Sequence, residues 1–286
     1  MRKPRRYGLL GYPIAHSPSA VMQNAAFRSA GLEDQYELFE IPTVEKARRF
    51  FQSLPAEGIS GLNITIPYKS EIYRWMVERS DFLDPIAQLS CSVNTVVCEE
   101  GHYRAYSTDG EGLIRSLKEM KWDPSGKKVM ILGAGGAAHA IAVRLKQVGA
   151  TEVFYYYIRM KRLHCLQELL EEGESVGRLE KELFVDLKTL CQRYLPECEL
   201  LVNATPVANF SFVDSHHLHE KLLVCDLLYD PSETALLREA KAKGLTTLNG
   251  QGMLLHQGAC AFEIWTGKKA PLTVMREALT AALVSR

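Results

Sequence analysis

The sequence predicts an α/β protein of two domains, the second a Rossmann-type, doubly wound dinucleotide-binding domain. Three observations lead there. Short apolar runs rich in β-branched residues alternate with helical stretches along the 286 residues, the alternation that parallel strands need because each crossover requires a helix. The length suits two domains or one large one. A turn cluster, Asp123-Pro124-Ser125-Gly126, then interrupts the series. A fresh α/β series begins at Lys128 with a strand that runs straight into Gly133-Ala134-Gly135-Gly136-Ala137.

In chain order, the residues from Arg6 to Leu10 read as a first strand, and those from Ser19 to Ala30 as a helix closed by Gly31. A second strand runs from Tyr36 to Ile41 and a helix from Val44 to Leu54. The third strand spans Ile59 to Ile66, where Ile64 and Ile66 alternate with Asn63 and Thr65 in the period of a half-buried strand. Pro67 cannot donate to a ladder and stops it. Lys69 therefore sits just past a strand end, ahead of a helix from Ser70 to about Val77. Ser92 to Val97 and His102 to Tyr106 form a hairpin across Glu99-Glu100-Gly101. A helix from Gly110 to about Met120 marks the domain boundary. Beyond it come a compact buried strand from Lys128 to Leu132, a helix from Ala138 to Gln147 ended by Gly149, and a strand from Glu152 to Tyr157. A further strand, Leu200 to Val202, leads into Asn203-Ala204-Thr205-Pro206.

Composition narrows the function. Hydrophobic residues make up 47% and charged residues 24%, and 34 Lys plus Arg balance 34 Asp plus Glu. No global field favours nucleic acid or an acidic membrane surface. The basic run Arg2-Lys3-Pro4-Arg5-Arg6 reads as a solvated tail. No apolar stretch approaches a membrane span, and the start lacks a signal-peptide core. The seven cysteines are scattered without a C-x-x-C pair, which points to reduced thiols and a cytoplasmic home. The cluster Ser215-His216-His217-Leu218-His219 lacks nearby cysteine or carboxylate ligands, so no metal is expected.

The glycine segment carries chemistry. Strand, glycine turn and helix give a tight turn, close approach of backbone N–H groups, and a helix N-terminus that favours a pyrophosphate. The second strand of that domain should end beside the adenosine ribose. The residues there are Ile158-Arg159-Met160-Lys161-Arg162. With three cations and no carboxylate, they favour a 2′-phosphate, hence NADP.

Several motifs in order resemble the shikimate dehydrogenase family from about Gly11 to Gly267. Gly11-Tyr12-Pro13-Ile14-Ala15-His16-Ser17-Pro18-Ser19 resembles its G-x-P-I-x-H-S-x-S, and the stretch from Gly61 to Lys69 its G-x-N-V-T-x-P-x-K. Ser92-Val93-Asn94-Thr95 resembles A-V-N-T, and Thr108-Asp109-Gly110 with Gly112 resembles N-T-D-x-x-G. Tyr229-Asp230-Pro231 with Thr234 resembles Y-x-P-x-x-T. Asn249-Gly250-Gln251-Gly252-Met253-Leu254 with Gln257 resembles G-x-G-M-L-x-x-Q.

The resemblance implies reversible NADPH-dependent reduction of 3-dehydroshikimate to shikimate, a step of aromatic amino-acid biosynthesis. It implies a substrate domain, residues 1–106 completed by 253–286, facing an NADP-binding domain, residues 107–252, across a cleft. It assigns acid/base catalysis to Lys69 with Asp109, as a pair rather than as one protonation microstate. Ser17 and Ser19 take the substrate carboxylate with help from Tyr229, while Thr65, Asn94 and Gln257 take ring hydroxyls. Cofactor contacts fall to Gly133, Ala134, Gly135, Gly136, Ala137, Arg159, Thr205, Leu227, Gly250 and Met253. The partner is a small molecule, not nucleic acid or membrane, and the chain is expected as a monomer or homodimer.

Some positions depart from the family pattern: Ala20 for Pro, Ser107 for Asn, Ala208-Asn209 for Gly-Met, and Ile158 and Met160 flanking Arg159 in place of Asn and Thr. The last pair removes two hydrogen-bonding partners of a 2′-phosphate, which keeps NAD open as an alternative. Quinate also stays open as a substrate, as does a catalytically silent ligand sensor, against which the retained Lys69 and Asp109 argue.

Overall fold

The computed structural model describes residues 3–79, 81–156, 187–209, 213 and 215–284. The chain divides into two compact units, Met1–Gly112 with Leu255–Arg286, and Leu113–Leu254.

The first unit is built on strands β1 (Arg6–Gly11), β2 (Gln35–Glu40), β3 (Ile59–Ile64), β4 (Phe82–Leu83), β5 (Thr95–Glu99) and β6 (His102–Tyr106), in the order β2-β1-β3-β5-β6-β4. Helices α1 (Ser19–Ser29), α2 (Val44–Ser53), α3 (Lys69–Glu78) and α4 (Pro85–Ser90) connect them. Local chemistry sets several ends. The Thr43 hydroxyl accepts from the Lys46 N–H to cap α2. Asp84 accepts from the Ala87 N–H ahead of Pro85, so α4 begins with a cap and a proline at its first turn. Glu100 and Gly101 take φ values of 52° and 81° to make the tight β5–β6 hairpin. Leu10, Leu62, Ile64 and Val96 of the sheet pack with Phe51, Tyr68, Ile72 and Met76 into one core.

Two expectations change here. The sheet is mixed rather than parallel, because β5 runs antiparallel to both β3 and β6. α3, β4 and α4 return the chain to the end where β3 stops, so Asn63 pairs with Thr95. The strand also ends at Ile64 instead of Ile66. Ile66 is 63% exposed while Asn63 is 5% exposed. Asn63 tolerates burial because its amide donates to the Asn94 carbonyl and the Thr95 hydroxyl and accepts from Tyr36. With both faces of the sheet covered, alternation does not report which side is wet.

The second unit holds β7 (Lys128–Leu132), β8 (Glu152–Tyr156), β9 (Leu200–Asn203), β10 (Leu223–Asp226) and β11 (Thr247–Leu248), all parallel and ordered β11-β10-β9-β7-β8. Alternate residues face opposite sides. Met130, Leu132, Leu201 and Val224 join one core, and Val129, Ile131, Leu200 and Val202 join another. That double burial is why these strands read as unbroken apolar runs. The order reverses between β7 and β9, the switch point at which doubly wound sheets bind ligands.

Helices α5 (Asp109–Glu119), α6 (Gly136–Gln147), α7 (Leu187–Tyr194) and α8 (Ala235–Ala242) precede α9 (Gly250–Thr266) and α10 (Leu272–Val284). The chain passes from one unit to the other inside α5 and returns inside α9. Among the described residues, no helix is long and apolar enough to cross a membrane.

The six described cysteines are buried, and none of them is in a disulfide. Burial pushes the Cys191 and Cys198 thiols up to about 12 and Cys225 higher still. A raised thiol pKa leaves little thiolate near pH 8, so these three are expected to resist iodoacetamide in the native protein and react fully in denaturant. Peptide mapping by mass spectrometry reads each site. Equal labelling of Cys225 in both states would contradict its burial in the parallel sheet.

Candidate active site

Tyr68 is fully buried and its hydroxyl donates to the Ile41 carbonyl at 2.5 Å, which anchors the loop immediately before α3. Lys69 is the first residue of that helix, and Asp109 is the first residue of α5. The Lys69 Nζ donates to Asp109 Oδ2 at 2.5 Å, with the two side chains 16% and 5% exposed. Each helix therefore starts one residue earlier than its sequence suggested.

Asn94, between α4 and β5, organises the pair. Its Nδ2 donates to Asp109 Oδ1 and to the Thr108 hydroxyl, both at 2.9 Å, and reaches Gln257 Oε1 at 3.4 Å. Its Oδ1 accepts from the Thr108 N–H at 2.7 Å. Thr108 in turn donates its hydroxyl to the Gln257 carbonyl at 3.2 Å. Lys69, Asn94, Asp109 and Gln257 thus form one connected group, with each Asp109 oxygen facing a donor. Behind it, Tyr36 donates to Asn63 Oδ1 at 2.9 Å, and burial holds the Tyr36 hydroxyl well above its usual pKa, so it stays a donor.

Thr65 follows β3 and is half-buried, its N–H donating to the Leu10 carbonyl. A Cβ on Gly11 would lie 2.3 Å from the Thr65 methyl, so the two loops touch at that glycine. The Ser17 and Ser19 hydroxyls are 3.1 Å apart, and the Ser19 N–H donates to Ser17 Oγ. The N-cap of α1 is Pro18, which has no side-chain cap, so Ser17 Oγ takes the first helical N–H while the Ser19 hydroxyl is not used on the helix end. Tyr229 belongs to the second unit, half-buried in the loop after β10.

In that unit, Gly133 has φ +117°, and a Cβ there would lie 2.9 Å from the Ala204 carbonyl oxygen. Only glycine fits this turn beside β9. Gly135 is the N-cap of α6, so Gly136 and Ala137 fall inside its first turn, earlier than the sequence reading put them. The first-turn N–H groups lack intrahelical partners and carry the positive end of the helix dipole. A Cβ on Gly135 would meet nothing within 4 Å, leaving room next to those donors. A pyrophosphate fits this loop.

Thr205 donates both its N–H and its hydroxyl to Asn203 Oδ1, at 3.0 and 2.7 Å. The Leu227 N–H donates to the Asn203 carbonyl. A Cβ on Gly250 would lie 2.0 Å from the Leu227 carbonyl oxygen, so α9 starts directly against the end of β10. Met253 is 8% exposed and packs in the core with Ile131, Val202 and Cys225. Arg159, with Ile158 and Met160, lies outside the described residues.

Sequence reasoning passed over Thr108, Asn63 and Asp226 as working polar residues. Asn63 and Asp226 are hydrogen-bonding side chains in largely apolar buried strands, which is the signal that was available, whereas Thr108 stands between Ser107 and Asp109 and carries no such signal.

A glycine loop and free helix N-terminus at the switch point of a parallel sheet, in a chain that also buries a lysine–aspartate pair, define a nicotinamide-dependent oxidoreductase. Residues 9–96 match the shikimate dehydrogenase substrate-binding domain, and residues 250–280 match the shikimate 5′-dehydrogenase C-terminal domain. A shikimate dehydrogenase (NADP(+)) of Methanopyrus kandleri is 42% identical over 279 residues, covering 95% of this chain and 93% of its own. The crystal structure of shikimate 5-dehydrogenase from Listeria monocytogenes, in complex with shikimate and NAD, superposes with a TM-score of 0.84 at 33% identity, covering 96% of both chains. That of the Thermus thermophilus enzyme, in complex with NADP(H) and shikimate, gives a TM-score of 0.81 at 34% identity, covering 97% of this chain and 99% of its own. The chain belongs to the shikimate dehydrogenase family.

Proposed function

We propose that this protein catalyses the reversible NADPH-dependent reduction of 3-dehydroshikimate to shikimate, in the pathway to the aromatic amino acids. The observation that carries the reading is the Lys69–Asp109 pair, 2.5 Å apart and fixed by Asn94 in the first unit. NADPH held by the glycine loop before α6 would supply the hydride that the carbonyl carbon receives. The C=O π electrons move onto oxygen, and Lys69 gives that oxygen a proton, so the alcohol forms without a free alkoxide. In the oxidative direction the Lys69–Asp109 pair takes the hydroxyl proton as the hydride leaves. Asp109 holds the Lys69 amine in place and balances its charge.

The first unit is the substrate domain in this reading. Ser17 and Ser19 supply hydroxyls for the ring carboxylate, with Tyr229 assisting, while Thr65, Asn94 and Gln257 take ring hydroxyls. The second unit binds NADP. Gly133, Ala134, Gly135, Gly136 and Ala137 cradle the pyrophosphate, Thr205, Leu227, Gly250 and Met253 line the nicotinamide side, and Arg159 takes the 2′-phosphate. The six described cysteines, buried and without disulfides, support a reducing, cytoplasmic location. A monomer or homodimer completes the reading, testable by sedimentation.

Initial rates with shikimate or quinate, each with NADP or NAD, test the assignment. Turnover is expected to be fastest with shikimate and NADP. A preference for quinate or for NAD would reassign the substrate or cofactor, and binding without turnover would make the protein a sensor.

A further inference from the structure

Among its described residues, the second unit buries one carboxylate that the reaction itself does not use. Asp226 ends β10, opposite Asn203 on β9, and is 0% exposed. Its Oδ2 accepts from Asn203 Nδ2 at 3.0 Å and from the Thr234 hydroxyl at 2.7 Å, and its Oδ1 accepts from the Leu228 N–H at 3.0 Å. A buried carboxylate is costly to desolvate, and here hydrogen bonds do the compensating.

Each of those donors belongs to a different segment. Asn203 uses its remaining amide oxygen to hold the Thr205 N–H and hydroxyl. Leu228 lies between Leu227 and Tyr229, and its carbonyl accepts from the Gly250 N–H at 2.9 Å. Thr234 closes the loop that follows Tyr229, and its hydroxyl oxygen also accepts from the Leu237 N–H to cap α8. The two lone-pair-rich oxygens of one side chain therefore set the loops after β9 and β10 relative to each other.

Resting on the cofactor assignment above, we propose that Asp226 is a positioning residue for nicotinamide-cofactor binding. Through Asn203 and Leu228 it fixes the loops that carry Thr205, Leu227 and Gly250. A neutral amide at this position cannot accept from all three donors. One of its ends presents N–H groups to another N–H or O–H, and one loop must move.

The test is a titration of wild type and Asp226→Asn with NADPH, followed by its fluorescence, alongside thermal denaturation and steady-state kinetics. The variant is expected to remain folded, to bind NADPH about tenfold more weakly, and to keep kcat at saturating cofactor within about threefold. A merely structural role would lower the melting temperature and leave the dissociation constant alone. A folded variant that binds NADPH within about twofold of wild type overturns the proposal.

Thr234→Val and Thr234→Ser keep the test decisive if Asp226→Asn does not fold. Valine removes the donor to Oδ2 and is expected to weaken NADPH binding about threefold, and serine to restore it. Equal affinity in both overturns the proposal. Failure of wild type to bind NADPH overturns the cofactor assignment instead, a different result seen in the first titration.

Discussion

Replacing Lys69 with alanine is expected to lower kcat in both directions by about 10²–10⁴-fold, the usual worth of a positioned general acid or base. Shikimate binding should survive, because Ser17, Ser19, Thr65 and Gln257, the side chains proposed to hold the substrate, are untouched. The geometry makes the loss specific to proton transfer. The Lys69 side chain is 16% exposed and its amine rests on an Asp109 oxygen, while Asn94 donates to the other oxygen. Removing the amine leaves Asp109 with that second donor, so the fold should lose only about 1–3 kcal/mol, measurable by thermal denaturation. Lys69→Arg separates charge from chemistry. A guanidinium preserves the positive partner of Asp109 but does not release its proton near neutral pH. Its kcat is expected to fall nearly as far as that of the alanine variant. The double variant Lys69→Ala/Asp109→Asn should lose little more than Lys69→Ala alone, since the two side chains act as a unit. A Lys69→Arg enzyme that keeps more than about a tenth of wild-type kcat would move the acid/base role to another group.

Features that depend on backbone geometry were the most legible. Gly133 to Gly136 could be read as a turn into a helix because glycine is the one residue that takes φ +117° against the Ala204 carbonyl without strain. The hairpin at Glu100-Gly101 was legible for a similar reason, and the apolar run from Lys128 to Leu132 because the strand is buried on both faces. Features set by tertiary contacts were not. Ile66 looks like a strand residue, yet the ladder ends at Ile64 and leaves it exposed. The direction of β5 depends on where α3, β4 and α4 return the chain, and no local pattern encodes that. β4 and α4 are short enough to escape periodicity, although Asp84 before Pro85 is a helix-start signal. In the site, Lys69 and Asp109 stand out by type and by motif. Thr108 does not, because its importance lies in donating to Asn94 and Gln257, residues that come close only in the folded unit. Asn63 and Asp226 stand out as polar residues in apolar strands, but their partners, Tyr36, Asn94 and Thr95 for one and Asn203, Leu228 and Thr234 for the other, are set by the fold.

Asn94→Asp is expected to give the largest stability loss in the site, and one that grows with pH. The side-chain amide nitrogen of Asn94 faces three acceptors, Asp109 Oδ1 at 2.9 Å, the Thr108 hydroxyl at 2.9 Å and Gln257 Oε1 at 3.4 Å. The substitution keeps the shape but turns this donor into an acceptor. At neutral pH it sets a second carboxylate against Asp109, and Lys69 can neutralise only one of them. In the fold, one of the two carboxyl groups must retain a proton that it loses freely in the unfolded chain, where it titrates near pH 4. A proton held more tightly in the folded state means that the charge-dependent part of the deficit vanishes below about pH 4 and widens as pH rises toward the folded titration point. The variant should melt close to wild type near pH 4 and be about 2–4 kcal/mol less stable near pH 8. Melting curves of both proteins across that range make the comparison. A gap that stays constant with pH would mean that the introduced carboxylate does not face Asp109, and the arrangement of Asn94 between Asp109 and Gln257 would have to be abandoned. A widening gap, with kcat falling in step, would place the Asn94 amide among the groups that keep Asp109 directed at Lys69.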